Sequence, residues 1–124
     1  MEQPSTTLGT DFAQAFADKD ADRIRDLVHP EIDFRALTPN RNWEAGDPDT
    51  LVEILFANWL EDEDRVEALE SLESDSFVDR ERVGYRLSVS CPDGRHLVEQ
   101  QAYIGERDGK IGWMRVVCSG FRPI

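Results

Sequence analysis

Residues 97–120, LVEQQAYIGERDGKIGWMRVVCSG, alternate apolar and polar positions on both sides of Asp108-Gly109. A period of two marks a half-buried strand. Asp-Gly between two such runs marks a tight hairpin, because both turn positions take φ > 0. The pattern extends upstream and predicts strands at 82–91, 95–106 and 110–119, joined at Asp93-Gly94 and Asp108-Gly109. The preceding run, VEALESLESDSFVD, is ambiguous, since Val66, Leu69 and Leu72 also fit one face of a helix. It is read as a strand because clear sheet follows. The first half keeps a helical period. Leu8, Phe12, Ala15 and Phe16 share a face of one helix. Asp20 caps a second, ADRIRDLVH, with Ile24, Leu27 and Val28 inward and Pro30 as its stop. EIDFRAL reads as a short strand with Ile32, Phe34 and Ala36 on one side, and TPNRNWEAGD as a loop. Asp47-Pro48 pairs a cap with a first-turn proline and opens a third helix to about Glu61, burying Leu51, Ile54, Leu55 and Trp59. Three helices followed by antiparallel strands make an α+β domain spanning residues 1–124.

Two-residue turns fix register. Pairing Pro92 with Arg95 sets Tyr85 opposite Ala102, and pairing Arg107 with Lys110 sets Ala102 opposite Arg115. One face then carries Val83, Tyr85, Leu87, Val89, Val98, Gln100, Ala102, Ile104, Ile111, Trp113, Arg115 and Val117. It is the more apolar and should lie under the helices. Tyr85, Gln100 and Arg115 then converge on a small residue within apolar walls, which describes a ligand pocket. The competing reading has Arg115 snorkelling at the rim while Gln100 satisfies backbone groups. A bulge would move residues to the opposite face, and Glu99, Gln101 and Tyr103 are the alternative pocket set. The other face holds Leu97, Tyr103, Met114 and Val116 beside Ser88 and Gln101, a mixture suited to a homodimer packed through its sheets.

Composition narrows the partners. The chain has 124 residues and a net charge of −12, from 26 acidic and 14 basic residues. Nucleic acid and anionic membrane surfaces are disfavoured, because both need basic protein surface. The start, MEQPSTTLGTDF, lacks a basic then apolar leader, so a cytoplasmic protein is expected. Cys91 and Cys118 fall two strands apart at about 10 Å or more, beyond disulfide reach. The absence of CxxC or clustered His and Cys argues against zinc, and no cofactor is expected.

Three stretches carry a resemblance: FAQAFADKDADRIRDLVHPEIDF, NWEAGDPDTLVEILFANW, and the strands from Val83 to Pro123. With the Trp43-x-x-Gly46 loop and Asp-Gly-Lys-Ile at 108–111, the chain resembles the NTF2-like superfamily, in particular its SnoaL-like branch. The resemblance implies a cone-shaped curved sheet around helices, with a pocket at the open end and frequent dimerisation. The family includes ketosteroid isomerase, polyketide cyclases, limonene epoxide hydrolase, scytalone dehydratase, and members that only bind ligands or proteins. Its enzymes use Asp, His or Tyr in an apolar pocket, where burial raises a carboxyl pKa. Where an isomerase would place its aspartate, this chain has Ala36 or Leu37.

Candidate chemistry follows from both readings. Tyr85, Gln100, Arg115, Trp43 and Trp113 are the expected ligand contacts, with Trp43 at the mouth, able to stack on a flat ligand or merely to plug the cone. The inward face carries no Asp, Glu or His, which favours a binder of a small, largely apolar molecule. The alternatives are a cofactor-free isomerase, cyclase or hydrolase, and a protein-interaction module. Catalytic candidates are Tyr85, Asp33, Glu99 and His29. Asp33 and Arg35 are otherwise solvent-side or mutually paired, and His29 otherwise only complements a helix dipole. Phe56 and Trp59 read as core, and the acidic run at 61–65 as a solvated helix end.

Overall fold

A computed structural model describes residues 6–124. The reading of residues 1–5 as free of a leader lies outside the described residues. Helices α1 (Leu8–Ala17) and α2 (Ala21–Leu27) lead into β1 (Val28–Thr38) and β2 (Arg41–Ala45). Helix α3 (Pro48–Glu53) continues as a π-helical turn, Ile54–Trp59. Strands β3 (Arg65–Phe77), β4 (Arg80–Cys91), β5 (Gly94–Arg107), β6 (Lys110–Cys118) and the short β7 (Arg122–Pro123) complete the chain. The sheet order is β2-β1-β6-β5-β4-β3, with β7 beside β5. Among the described residues, only β1 and β6 run parallel. The result is the expected α+β class, three helices on a curved, mostly antiparallel sheet.

The caps act where the pattern put them. Asp20 Oδ1 accepts from the Arg23 amide at 3.1 Å. Asp47 Oδ1 accepts from the Thr50 amide at 2.8 Å, with Pro48 at the first helical position. Each satisfies a donor that the first helical turn leaves orphaned. At α1, Thr7 caps, and the Gly9 amide donates to Glu81 Oε1 of β4 at 2.9 Å, which ties the helix to the sheet. The apolar stripes close on one core, in which Phe12, Phe16, Ile24, Phe34, Leu51, Leu55 and Leu87 are essentially inaccessible.

Three expectations change here, each for a backbone reason, while the strand reading of β3 holds. Arg41–Ala45 is a strand rather than a loop, pairing Phe34 with Ala45 and Thr38 with Arg41. Pro30 does not stop α2 but lies inside β1, where pairing with β6 jumps from Val28 to Asp33 and no amide is needed. In β3, register shifts lie between Val66 and Ala68 and between Leu69 and Ser71. Each bulge adds one residue, so Val66, Leu69 and Leu72, three apart, still face Val89, Leu87 and Tyr85. That explains the helix-like spacing on a strand. The β4–β5 turn closes on Cys91 and Gly94, one residue earlier than expected, which shifts the pairing by two, so Tyr85 faces Gln100 rather than Ala102. An even slip leaves the faces intact.

The decisive change is in β6. The turn pairs Arg107 with Lys110 as expected, and Asp108 and Gly109 both take positive φ. Then Glu106 pairs with Ile111 but Gly105 with Trp113, which leaves Gly112 as an extra residue. A Cβ at Gly112 would overlap the Arg107 side chain, so only glycine fits this kink. Beyond it every residue of β6 changes face. Met114, Val116 and Cys118 are buried, while Val117 is exposed. The expected inward positions of Trp113, Arg115 and Val117, and the outward ones of Met114 and Val116, are therefore reversed.

Candidate functional site

Gln100 keeps its inward place because β5 carries no bulge between its turn and this position. It is 2% exposed, and its Oε1 accepts the Tyr85 hydroxyl at 2.6 Å. Its Nε2 has no partner among the described residues. Burial pushes the Tyr85 phenol far above its usual range, with the neighbouring Cys118 adding to the shift. Phe16 stacks edge-on against the same ring. The pair is thus set in packed aromatic core.

Arg115 is not part of that pair. On the outer face it donates to the Asp33 carbonyl at 2.9 Å and the Asp33 carboxylate at 3.3 Å. Its guanidinium lies over Trp113, 4.5 Å from the ring centre, and Arg80 lies over the same ring at 4.2 Å. Asp33 also sits 3.8 Å from Arg35, so the solvent-side pairing describes both residues. Glu99 is on the outer face too, where Arg86 donates to it at 2.7 Å. His29 is buried, accepts the Glu31 amide on Nδ1 at 2.9 Å, and lies 3.3 Å from Asp108 in the β5–β6 turn. That turn is at the opposite end of the sheet from the cavity.

The cavity, about 830 Å³, opens where the β1–β2 and β4–β5 turns meet the end of β6. Trp43 and Trp59 line it and meet edge-on, 6.1 Å between centres. Trp43 donates its indole N–H to Thr38 Oγ1 at 2.9 Å, and Arg41 covers its ring at 3.8 Å. The Trp59 indole N–H is buried with no partner among the described residues. Cys91, Asp93, His96, Cys118 and Phe121 form further wall, and Glu61 and Asp64 bring carboxylates. Both cysteines are free thiols. Burial, then the adjoining Asp64 carboxylate and the charges of Asp93 and Glu61, push the Cys91 thiol up to about 11. Of the expected ligand contacts, Trp43 lines this cavity, while Tyr85 and Gln100 lie in the core and Arg115 and Trp113 on the outer face.

Sequence reasoning passed over Trp59, Asp64, Cys91 and His96. Trp59, expected in the core, both packs there and borders the cavity. His96 follows the parity of Val98 and Gln100 onto the inner face. The expectation that the inward face carries no histidine is therefore corrected at this position.

Among solved structures, a protein named only provisionally as an isomerase, from Rhodopseudomonas palustris, superposes with TM-score 0.73 over 94% of this chain and 93% of its own, at 12% identity. An NTF2-like protein from Burkholderia xenovorans LB400 gives 0.65 over 90% and 86%, at 13% identity. The chain has the NTF2-like fold. An LEH-like epoxide hydrolase from M. tuberculosis matches this NTF2-like cone with TM-score 0.64 over 90% and 80%, at 11% identity. No family model and no curated protein matches the sequence. Among the described residues, the buried polar side chains of this NTF2-like cone are His29, Ser88, His96 and Gln100. None is a carboxylate. No helix of the described residues is long and apolar enough to cross a membrane.

Proposed function

We propose that this chain binds a small, flat, largely apolar molecule in the cavity bordered by Trp43 and Trp59. The observation that carries this reading is the buried Trp59 indole N–H, unpartnered on a residue that lines the cavity. An unmet buried donor costs about 1–3 kcal/mol, and a ligand acceptor would recover that energy. The tryptophan faces supply apolar contact. Arg115 drops out as the polar anchor. Solved neighbours of this fold named as isomerases and hydrolases lend support to a general pocket function.

The test is native mass spectrometry of protein purified from its own host. The expected result is a retained small molecule in the unchanged chain and its loss in Trp59→Phe, which keeps the ring and removes the N–H. Equal retention by the variant overturns the reading. An acid–base enzyme is the second reading, favoured by His96, a buried imidazole on the cavity wall. His96→Gln would then abolish turnover of the retained molecule while leaving its binding intact. A cytoplasmic setting without nucleic-acid partners fits the net charge of −12. The outer sheet face, where Leu37, Phe77, Tyr103 and Val117 are exposed, is our proposed homodimer contact.

A further inference from the structure

The β4–β5 turn gathers three side chains of different chemistry. In Cys91-Pro92-Asp93-Gly94-Arg95-His96 the chain reverses so tightly that Cys91 pairs with Gly94. Cys91 follows Val89 on the inner parity of β4, and His96 precedes Val98 on that of β5. Asp93 occupies the turn between them. One ligand atom from each of Cys91, Asp93 and His96 lies within 4.8 Å of the other two.

The histidine is already oriented. Its Nδ1 lies 3.2 Å from the Gly94 carbonyl oxygen, which can only accept, so Nδ1 carries the proton. In the neutral ring Nε2 then holds a free lone pair. Phe121 packs on the ring, 6.4 Å between centres. Nε2 looks toward Asp93 Oδ1 at 4.0 Å. That gap is too long for a hydrogen bond. It suits two ligands of one ion, since tetrahedral donors at 2.0–2.3 Å from a metal stand about 3.3–3.8 Å apart. The Asp93 side chain is 81% exposed, so it can turn inward by the few tenths of an ångström required. A backbone carbonyl holding the far nitrogen of a ligating histidine is the usual support of such sites.

We propose that Cys91, Asp93 and His96 form a binding site for a borderline divalent cation, with Zn²⁺ the best match to one sulfur, one nitrogen and one oxygen donor. The fourth position opens to the cavity that all three residues line. Asp64 borders the same space and is the protein group able to fill it. The site stands whether or not the cavity also takes an organic molecule.

The experiment is Co²⁺ titration of the metal-stripped full chain. The expected result is one ion per chain, with tetrahedral visible bands and a near-ultraviolet thiolate-to-cobalt band, both erased by Zn²⁺. Cys91→Ser removes the thiolate band, and Cys118→Ser keeps it. His96→Gln weakens binding by more than about 100-fold, beyond the range that outer-shell partners carry. Asp93→Asn, in an exposed turn, tests the site without endangering the core and also weakens binding. Three results overturn the proposal: absence of a thiolate band, a band that survives Cys91→Ser, or weak octahedral cobalt binding that is unchanged in Asp93→Asn.

Discussion

The Tyr85–Gln100 pair allows a quantitative test of how this core tolerates polarity. The two groups share one hydrogen bond of 2.6 Å, and the Gln100 Nε2 has none. Tyr85→Phe keeps the ring against Phe16 and removes one hydroxyl, so Gln100 Oε1 loses its bond and the whole amide is buried without a partner. The expected cost is about 1–2 kcal/mol, the penalty for an orphaned buried acceptor. Gln100→Met keeps the length of the side chain, removes the unmet amide N–H, and orphans the Tyr85 hydroxyl. Loss and gain then nearly cancel, leaving about 0–1 kcal/mol. The double variant buries no polar atom here and is expected to be at least as stable as the unchanged protein, since replacing both partners by apolar groups of similar shape is near neutral. The cycle therefore yields a coupling of about 1–3 kcal/mol, and each kcal/mol moves Tm by roughly 3–5 °C at this chain length. Urea unfolding of the four proteins, with melting curves alongside, measures it. Additive single effects, or a Tyr85→Phe protein as stable as its parent, would refute the reasoning and imply that water reaches the pair.

The same buried phenol predicts an alkaline limit. Above about pH 10 the unfolded tyrosine gives up its proton while folded Tyr85, pushed far higher by burial, keeps it. The unfolded state then binds fewer protons, so stability falls as pH rises, and Tyr85→Phe should flatten that fall in urea midpoints taken between pH 9 and 11. Gly112→Ala forces a Cβ into Arg107 at the bulge and is expected to cost about 1–3 kcal/mol in denaturant unfolding. A neutral result would mean that the bulge is not where β6 changes face. For the proposed dimer, Tyr103→Glu should shift sedimentation from dimer to monomer without altering circular dichroism. A parent protein that is monomeric at every concentration removes the proposal.

What this sequence determined alone is local. Asp20, Asp47 and the Asp108-Gly109 turn specify their caps and hairpin by side-chain and backbone preferences confined to a few residues. Alternation likewise assigned β4, β5 and β6 and, through Tyr85 and Gln100, the inner face of β4 and β5. The tertiary structure decided the parity beyond each bulge. An extra residue at Gly112 is tolerated because β5 and the helices can bury Met114 and Val116 better than Trp113 and Arg115, a comparison of packing across the whole sheet that no window of β6 contains. Helix-like spacing in β3 has the same origin, since its two bulges turn a period of two into steps of three. The cavity depends on distance in space as well: Trp43, Trp59 and the turn from Cys91 to His96 come from separate segments and meet only when the hairpin tips close over the end of the π-helical turn. Charge and turn chemistry are written residue by residue, whereas a hollow exists only between elements already packed.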